Sequence, residues 1–216
     1  GLFIGESIGT IYNYEIDGIW QIDDDIPDGY EPGTYRIVDQ NDDGNITPGE
    51  DRIILGESEP LYRISFQNSL RYKNLSLKFF VNSIQGGNNK FLLANNSRIS
   101  TPGNLQNYNW YNFTDYWSPS QSDSEYDAGW TNPAIRASKY QSRSFVRLQD
   151  ISLSYDIPKT PLNSIGVSDL KIFLSGKNLL TFTKWDGWDP ETGQGIFSSD
   201  NYPVLKSYSI GLDIKF

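Results

Sequence analysis

The sequence contains no cysteine, no histidine and no methionine. Without cysteine there is no disulfide and no thiol nucleophile, and without histidine there is no Ser-His-Asp triad. The usual nitrogen and sulfur ligands of zinc are missing as well. Any catalysis would rest on carboxylates, Lys, Tyr or Ser, and any bound metal would be a hard cation held by oxygen, which points to calcium. Long apolar runs are also missing. The longest, Phe91 to Ala94, has four residues, so no transmembrane helix is expected. A transmembrane strand is not excluded, because it needs only ~9–11 residues alternating apolar-out and polar-in. The opening Gly1-Leu2-Phe3-Ile4 shows no basic-then-apolar signal pattern, and we expect a mature product or a fragment.

Aromatics are plentiful, with 6 Trp, 14 Tyr and 11 Phe among 216 residues. The net charge is −9. Residues 23–59 hold 12 acids and two bases, a net of −10, and the remaining residues hold 15 acids and 16 bases, a net of +1. The acidity therefore belongs to one segment, which composition alone reads as a solvated loop. A net acidic chain is a poor partner for phosphate backbones, so nucleic acid is not expected.

Elsewhere the commonest pattern has period two, the mark of strands with one apolar face. Tyr62, Ile64, Phe66, Asn68, Leu70 and Tyr72 alternate with Arg63, Ser65, Gln67, Ser69 and Arg71. After a tight Lys73-Asn74 turn, Leu75, Leu77, Phe79 and Val81 continue the alternation. Ile151 to Ile157, Leu170 to Leu174, and Tyr208 to Phe216 repeat it, and an initial strand is expected over Ser7 to Trp20. The reading is all-β and antiparallel, with about six long strands. Long and short connections alternate: an acidic loop at 21–60, then loops at 96–143 and 177–206, with tight turns between. That asymmetry, with aromatics near strand ends, fits a segment of a transmembrane β-barrel with long external loops and short periplasmic turns. The closing Tyr208-Ser-Ile-Gly-Leu-Asp-Ile-Lys-Phe216 matches an outer-membrane insertion signal and puts the C-terminus in the periplasm and the acidic loop outside. The alternative is a secreted, soluble β-sandwich that binds carbohydrate, in which the apolar rows pack against a second sheet.

The acidic loop carries Asp39-Gln-Asn41-Asp-Asp43-Gly44-Asn45-Ile46-Thr47-Pro-Gly-Glu50, which fits D-x-[DN]-x-[DN]-G-x5-E without a gap. Oxygens of Asp39, Asn41 and Asp43 converge as such a loop turns around an ion. Asn45 offers its carbonyl, Thr47 a direct or water-bridged oxygen, and Glu50 a bidentate carboxylate. A structural calcium at residues 39–50 is the expectation, with a chance Asx-rich turn as the bland alternative. Trp117 and Trp130, in the stretch 95–140, and Trp185 and Trp188, in the last loop, are candidate ligand-binding residues. The acids of Trp185-Asp186-Gly-Trp188-Asp189-Pro190-Glu191 are similar in type to paired glycosidase carboxylates, but Asp-Gly and Asp-Pro form turns first, and no catalytic residue is assigned.

The motifs Asp17-Gly-Ile-Trp-Gln21, Pro32-Gly-Thr-Tyr-Arg36, the Asp39 loop and Asp51-Arg-Ile-Ile-Leu-Gly56 follow one another. Trp117-Ser-Pro119, Ser144-Phe-Val-Arg-Leu148, Leu153-Ser-Tyr155, Ser175-Gly-Lys-Asn-Leu-Leu180, Asp189-Pro-Glu191, Tyr202-Pro203 and Phe216 come after them in order. This order resembles the C-terminal part of SusC/RagA-like TonB-linked outer-membrane transporters of Bacteroidota, almost end to end. The resemblance implies a 22-stranded barrel in the membrane lipid, an N-terminal plug, import of glycan or peptide driven by the TonB complex, and a SusD-like surface lipoprotein. The plug and TonB-contacting parts are expected upstream of this segment. Two departures stand out. Glu50 precedes Asp51, so either acid can close the loop, and Asp150 replaces a more usual neutral or basic residue.

Overall fold

The computed structural model describes residues 2–95, 116–128, 131–162, 166–193 and 202–216. Its body is one antiparallel sheet of five strands: β5 (Tyr62–Tyr72), β6 (Leu75–Gln85), β9 (Phe145–Asp156), β10 (Asp169–Thr183) and β11 (Ser207–Lys215), in the order β11-β10-β9-β6-β5. Each has 9 to 15 residues, enough to cross a hydrocarbon core. Among the described residues no helix is long and apolar enough to do so.

Register turns the alternation of each strand into rows across the sheet. Leu70, Leu77, Leu153, Leu174 and Ile210 are cross-strand neighbours through all five strands. One residue along, Ser69, Lys78, Ser152, Ser175 and Ser209 form the matching row on the opposite face. The apolar side remains open: Leu70, Leu153, Leu174, Leu212 and Ile210 are all exposed, Ile210 by 79%. A sandwich would have covered this row with a second sheet. Leaving it in water would be costly at about 25 cal/mol per Å² of apolar surface.

Three expectations are corrected. The segment expected as one strand over Ser7 to Trp20 is two short strands, β1 (Thr10–Tyr14) and β2 (Ile16–Ile19), outside the main sheet. β1 pairs with β4 (Arg52–Glu57) and β2 with β3 (Tyr35–Ile37), and a register shift in each pair breaks the strict alternation. The main sheet accordingly has five strands. Second, β9 and β10 run further than their alternation suggested, so the last long loop begins after Thr183 and not at 177. The cause is a bulge. Gln149 is an extra residue in β9 against β6, and Asn178-Leu179, with Asn178 at φ 54°, lie against it in β10. One extra residue flips parity in β9, so Leu148 joins the apolar face on an even number, whereas the two residues Asn178-Leu179 leave the parity of β10 unchanged and Leu180 shares the face of Leu174. Third, the stretches read as loops contain structure of their own. β3 and β4 lie within 21–60, while β7 (Leu92–Ala94) and β8 (Tyr140–Ser142) bracket the long connection between β6 and β9.

The Lys73-Asn74 turn lies at one end of the sheet, where β9 ends and β10 begins. The connections 86–144 and 184–206 leave from the other end, and Leu61 donates its N–H to Gln85 O there (2.9 Å), tying the N-terminal segments to it. The described core of this end gathers Tyr14, Ile19, Tyr35, Ile37, Trp117, Ala128 and Ala137. Gly33, at φ +91°, lets Trp117 close over it: a Cβ there would stand 2.5 Å from the ring.

Candidate functional site

The long-loop end is held by buried polar groups rather than by apolar packing alone. Arg147 lies on the polar face of β9, 3% exposed, where a lone guanidinium would be strongly disfavoured. Its Nη2 donates to Asp189 Oδ1 at 2.7 Å, its Nη1 to Glu191 Oε2 at 2.5 Å and its Nε to Thr181 Oγ1 at 3.0 Å. Asp189, 1% exposed, also accepts the backbone N–H groups of Glu191 and Val204. Arg143 adds bonds to Pro190 O (3.0 Å) and Glu191 O (2.7 Å). The carboxylates that resembled a glycosidase pair are thus committed to anchoring the last loop on the sheet.

A second network joins three segments. The Tyr126 hydroxyl donates to Asp186 Oδ2 at 2.6 Å and accepts from Gln141 Nε2 at 3.2 Å. Asn95 Nδ2 donates to Gln141 Oε1 at 2.7 Å and to Asp186 O. Burial, then the bond to Asp186, pushes the Tyr126 hydroxyl far above its ordinary pKa, and burial with Asp127 nearby does the same at Tyr35. Lys139 lies 4.1 Å from the centre of the Tyr126 ring and pairs with Glu125 at 2.7 Å, holding that carboxyl below its usual range.

The calcium-type loop is turned by its own Asx bonds. Asp39 Oδ2 accepts Gly44 N–H (2.7 Å), Asn41 Oδ1 accepts Asp43 N–H (3.2 Å) and Asp43 Oδ1 accepts Asn45 N–H (2.7 Å). Ile46 packs against the buried cluster that contains Tyr14, Ile37 and Trp117. Glu50 and Asn45 are exposed, and Thr47 Oγ1 bonds Glu50 Oε2 at 3.3 Å. The acid that closes the loop internally is Asp51. It is fully buried, with Oδ1 accepting Gln40 N–H at 2.9 Å and Oδ2 accepting Thr47 N–H at 2.6 Å. The donors are of the type calcium takes, but among the described residues no three carboxylates gather around one point.

The tryptophans divide. Trp117 is buried and donates Nε1–H to Gln21 Oε1 (2.9 Å), and Trp185 is buried as well. Neither presents an open face to a ligand. Trp188 is 49% exposed. Trp130 lies outside the described residues. Arg147 escapes the sequence reading because one arginine in an alternating strand looks like an ordinary polar-face residue. Its position near the long-loop end, with Asp-Pro-Glu in the next loop, is the signal that could have found it. Asp150, the other unexplained residue, lies opposite Lys177 in the register of β9 and β10.

No family model matches the chain. Among curated proteins it is 30% identical over 241 residues to TonB-dependent receptor P3 of Formosa agariphila, with 98% of this chain aligned. The chain is a relative of the TonB-dependent receptors. TonB-dependent receptor P26 of the same organism is 26% identical across the whole chain. The alignments span about a quarter of each relative, 22% and 23%. Among solved structures, the RagAB peptide importer in its open-open state superposes with a TM-score of 0.66 at 23% identity, covering 100% of this chain and 25% of that one. The fold of the five-stranded sheet is therefore that of part of a TonB-dependent receptor barrel.

Proposed function

We propose that the chain is the C-terminal barrel portion of a SusC-like TonB-dependent outer-membrane transporter that imports glycan or peptide nutrients. The observation that carries this reading is the uncovered apolar row Leu70-Leu77-Leu153-Leu174-Ile210 backed by the polar row Ser69-Lys78-Ser152-Ser175-Ser209. Lipid on one side and a wet lumen on the other is the environment that stabilises both faces. On this reading the short turns are periplasmic, and the loops held by Arg147 and Tyr126 face outward toward substrate and a SusD-like lipoprotein. Contact with the TonB complex falls to an N-terminal part.

The chain works as wall and outer vestibule, not as an enzyme. Five strands with free edges at β5 and β11 are fewer than the ~8 that close the smallest membrane barrel. Expressed alone it should give no heat-modifiable band on SDS gels of outer-membrane fractions, whereas the full receptor should. A heat-modifiable band from the chain alone would overturn the partial-barrel reading.

A structural calcium at residues 39–50 stays within this proposal, supported by the donor types at Asp39, Asn41 and Asp43. Calorimetry on folded, chelator-treated receptor tests it, and an absence of heat up to millimolar calcium would remove it.

A further inference from the structure

At the long-loop end, the three small sheets leave a recess of about 470 Å³ between β1, β2, β3, β4, β7 and β8, within the range of small-molecule sites. Ile16, Ile19, Leu55 and Leu92 supply its aliphatic lining. Three tyrosines also line it: Tyr14 and Tyr35 are buried, and Tyr140 is half-buried, its hydroxyl accepting from Asn13 Nδ2 at 3.0 Å.

Charge at the rim is unbalanced. Lys139 is already neutralised by Glu125 (2.7 Å) and lies against the Tyr126 ring. Glu15 is exposed, accepts the neutral amide of Gln40 at 3.1 Å, and among the described residues forms no ion pair. An apolar recess with an uncompensated carboxylate at its edge complements one kind of ligand: an apolar body bearing a cation.

We propose that this recess binds an apolar group carrying a primary ammonium, with the ammonium at Glu15 and the apolar body against Leu55 and Leu92. A free amine and the first residue of a peptide share that chemistry. The proposal rests on the outward-facing reading of these loops.

The test uses the full-length receptor in detergent, first shown to be heat-modifiable, with calorimetric titration of phenethylamine, of the dipeptide Leu-Ala, of N-acetyl-Leu-Ala and of maltotriose. Leu-Ala should bind and its acetylated form should bind at least about tenfold more weakly, since about 1.4 kcal/mol of charge pairing corresponds to tenfold. Glu15→Gln should remove that preference, and Leu92→Trp, which fills the recess, should abolish binding in a receptor that stays heat-modifiable. Binding of phenethylamine as tight as that of Leu-Ala assigns the site to amines in general; weaker binding assigns it to peptide N-termini. Equal binding of the free and acetylated dipeptides, retention of the preference in Glu15→Gln, tighter binding of maltotriose, or no binding at all would overturn the proposal. A receptor that is not heat-modifiable would instead contradict the barrel reading beneath it.

Discussion

Arg147 of β9 and Asp189 of the last long loop form an ion pair at 2.7 Å with side chains only 3% and 2% exposed. Such a pair gains little over an apolar pair of the same volume, but breaking one half strands a buried charge at a cost of about 3–5 kcal/mol. Arg147→Met should therefore loosen the loop at 184–193 far more than Glu191→Gln, because Glu191 is 38% exposed and water can replace its partner. Limited proteolysis of the full receptor checks this. The Arg147→Met receptor should be cut faster within the last loop while its barrel stays heat-modifiable. The double variant Arg147→Met/Asp189→Leu should recover part of the loss, which a mere sum of two independent defects would not do.

The loop at residues 39–51 gives a second contrast. Asp51→Ala removes the acceptor of two backbone N–H groups in a buried position, an effect of about 1–3 kcal/mol per group left unsatisfied. Glu50→Gln, at an exposed side chain, should be nearly neutral without calcium. Hydrogen exchange of residues 40–47 in chelator-treated receptor reads both. If Glu50→Gln deprotected the loop as much as Asp51→Ala did, the assignment of Asp51 as the closing acid would be wrong.

The buried tyrosines set an alkaline limit. Tyr35 and Tyr126 have folded-state pKa values raised above the ordinary 10.0, mainly by burial. The unfolded segment therefore releases these protons first. Above pH 10 it binds fewer protons than the folded one, and stability falls as pH rises. Below pH 10 the two states hold the same tyrosine protons and the contribution is fully present. Tyrosinate absorbance followed against pH should show these groups titrating late and together with loss of the outer-loop structure. Tyr126→Phe should ease the alkaline loss while costing stability near neutral pH through the broken bond to Asp186.

Much of the sheet was legible in the sequence because each strand there has one apolar and one polar face, and period two records that directly. Leu70, Leu77, Leu153 and Leu174 could be placed on one face before any pairing was known. What alternation hides is a change of parity. The extra residue Gln149 concealed the outer half of β9 in this way, and the interruption at Asn178-Leu179, which leaves parity unchanged, concealed that of β10. The register shifts near Ile11 and Ile16 made two short strands look like one. The site was less legible still. Asp189 and Arg147 are 42 residues apart, and nothing local in either segment requires the other. Trp117 and Trp188 look alike in sequence, yet one is a core residue and the other half exposed, because exposure is set by segments distant in the chain. In the acidic loop the spacing drew attention to Glu50, whereas the geometry puts Asp51 inside.

The most direct test of the central claim is the chemical environment of two neighbouring side chains, Leu174 and Ser175, at the middle of β10. In cells carrying the full receptor, single Leu174→Cys and Ser175→Cys variants are treated with a membrane-impermeant thiol reagent and with a lipid-soluble one. The chain has no native cysteine to interfere within this segment. A barrel wall predicts that Leu174→Cys reacts from lipid and is shielded from the impermeant reagent, while Ser175→Cys reacts from water. Equal labelling of both positions by the impermeant reagent, or the reversed pattern, would contradict the account.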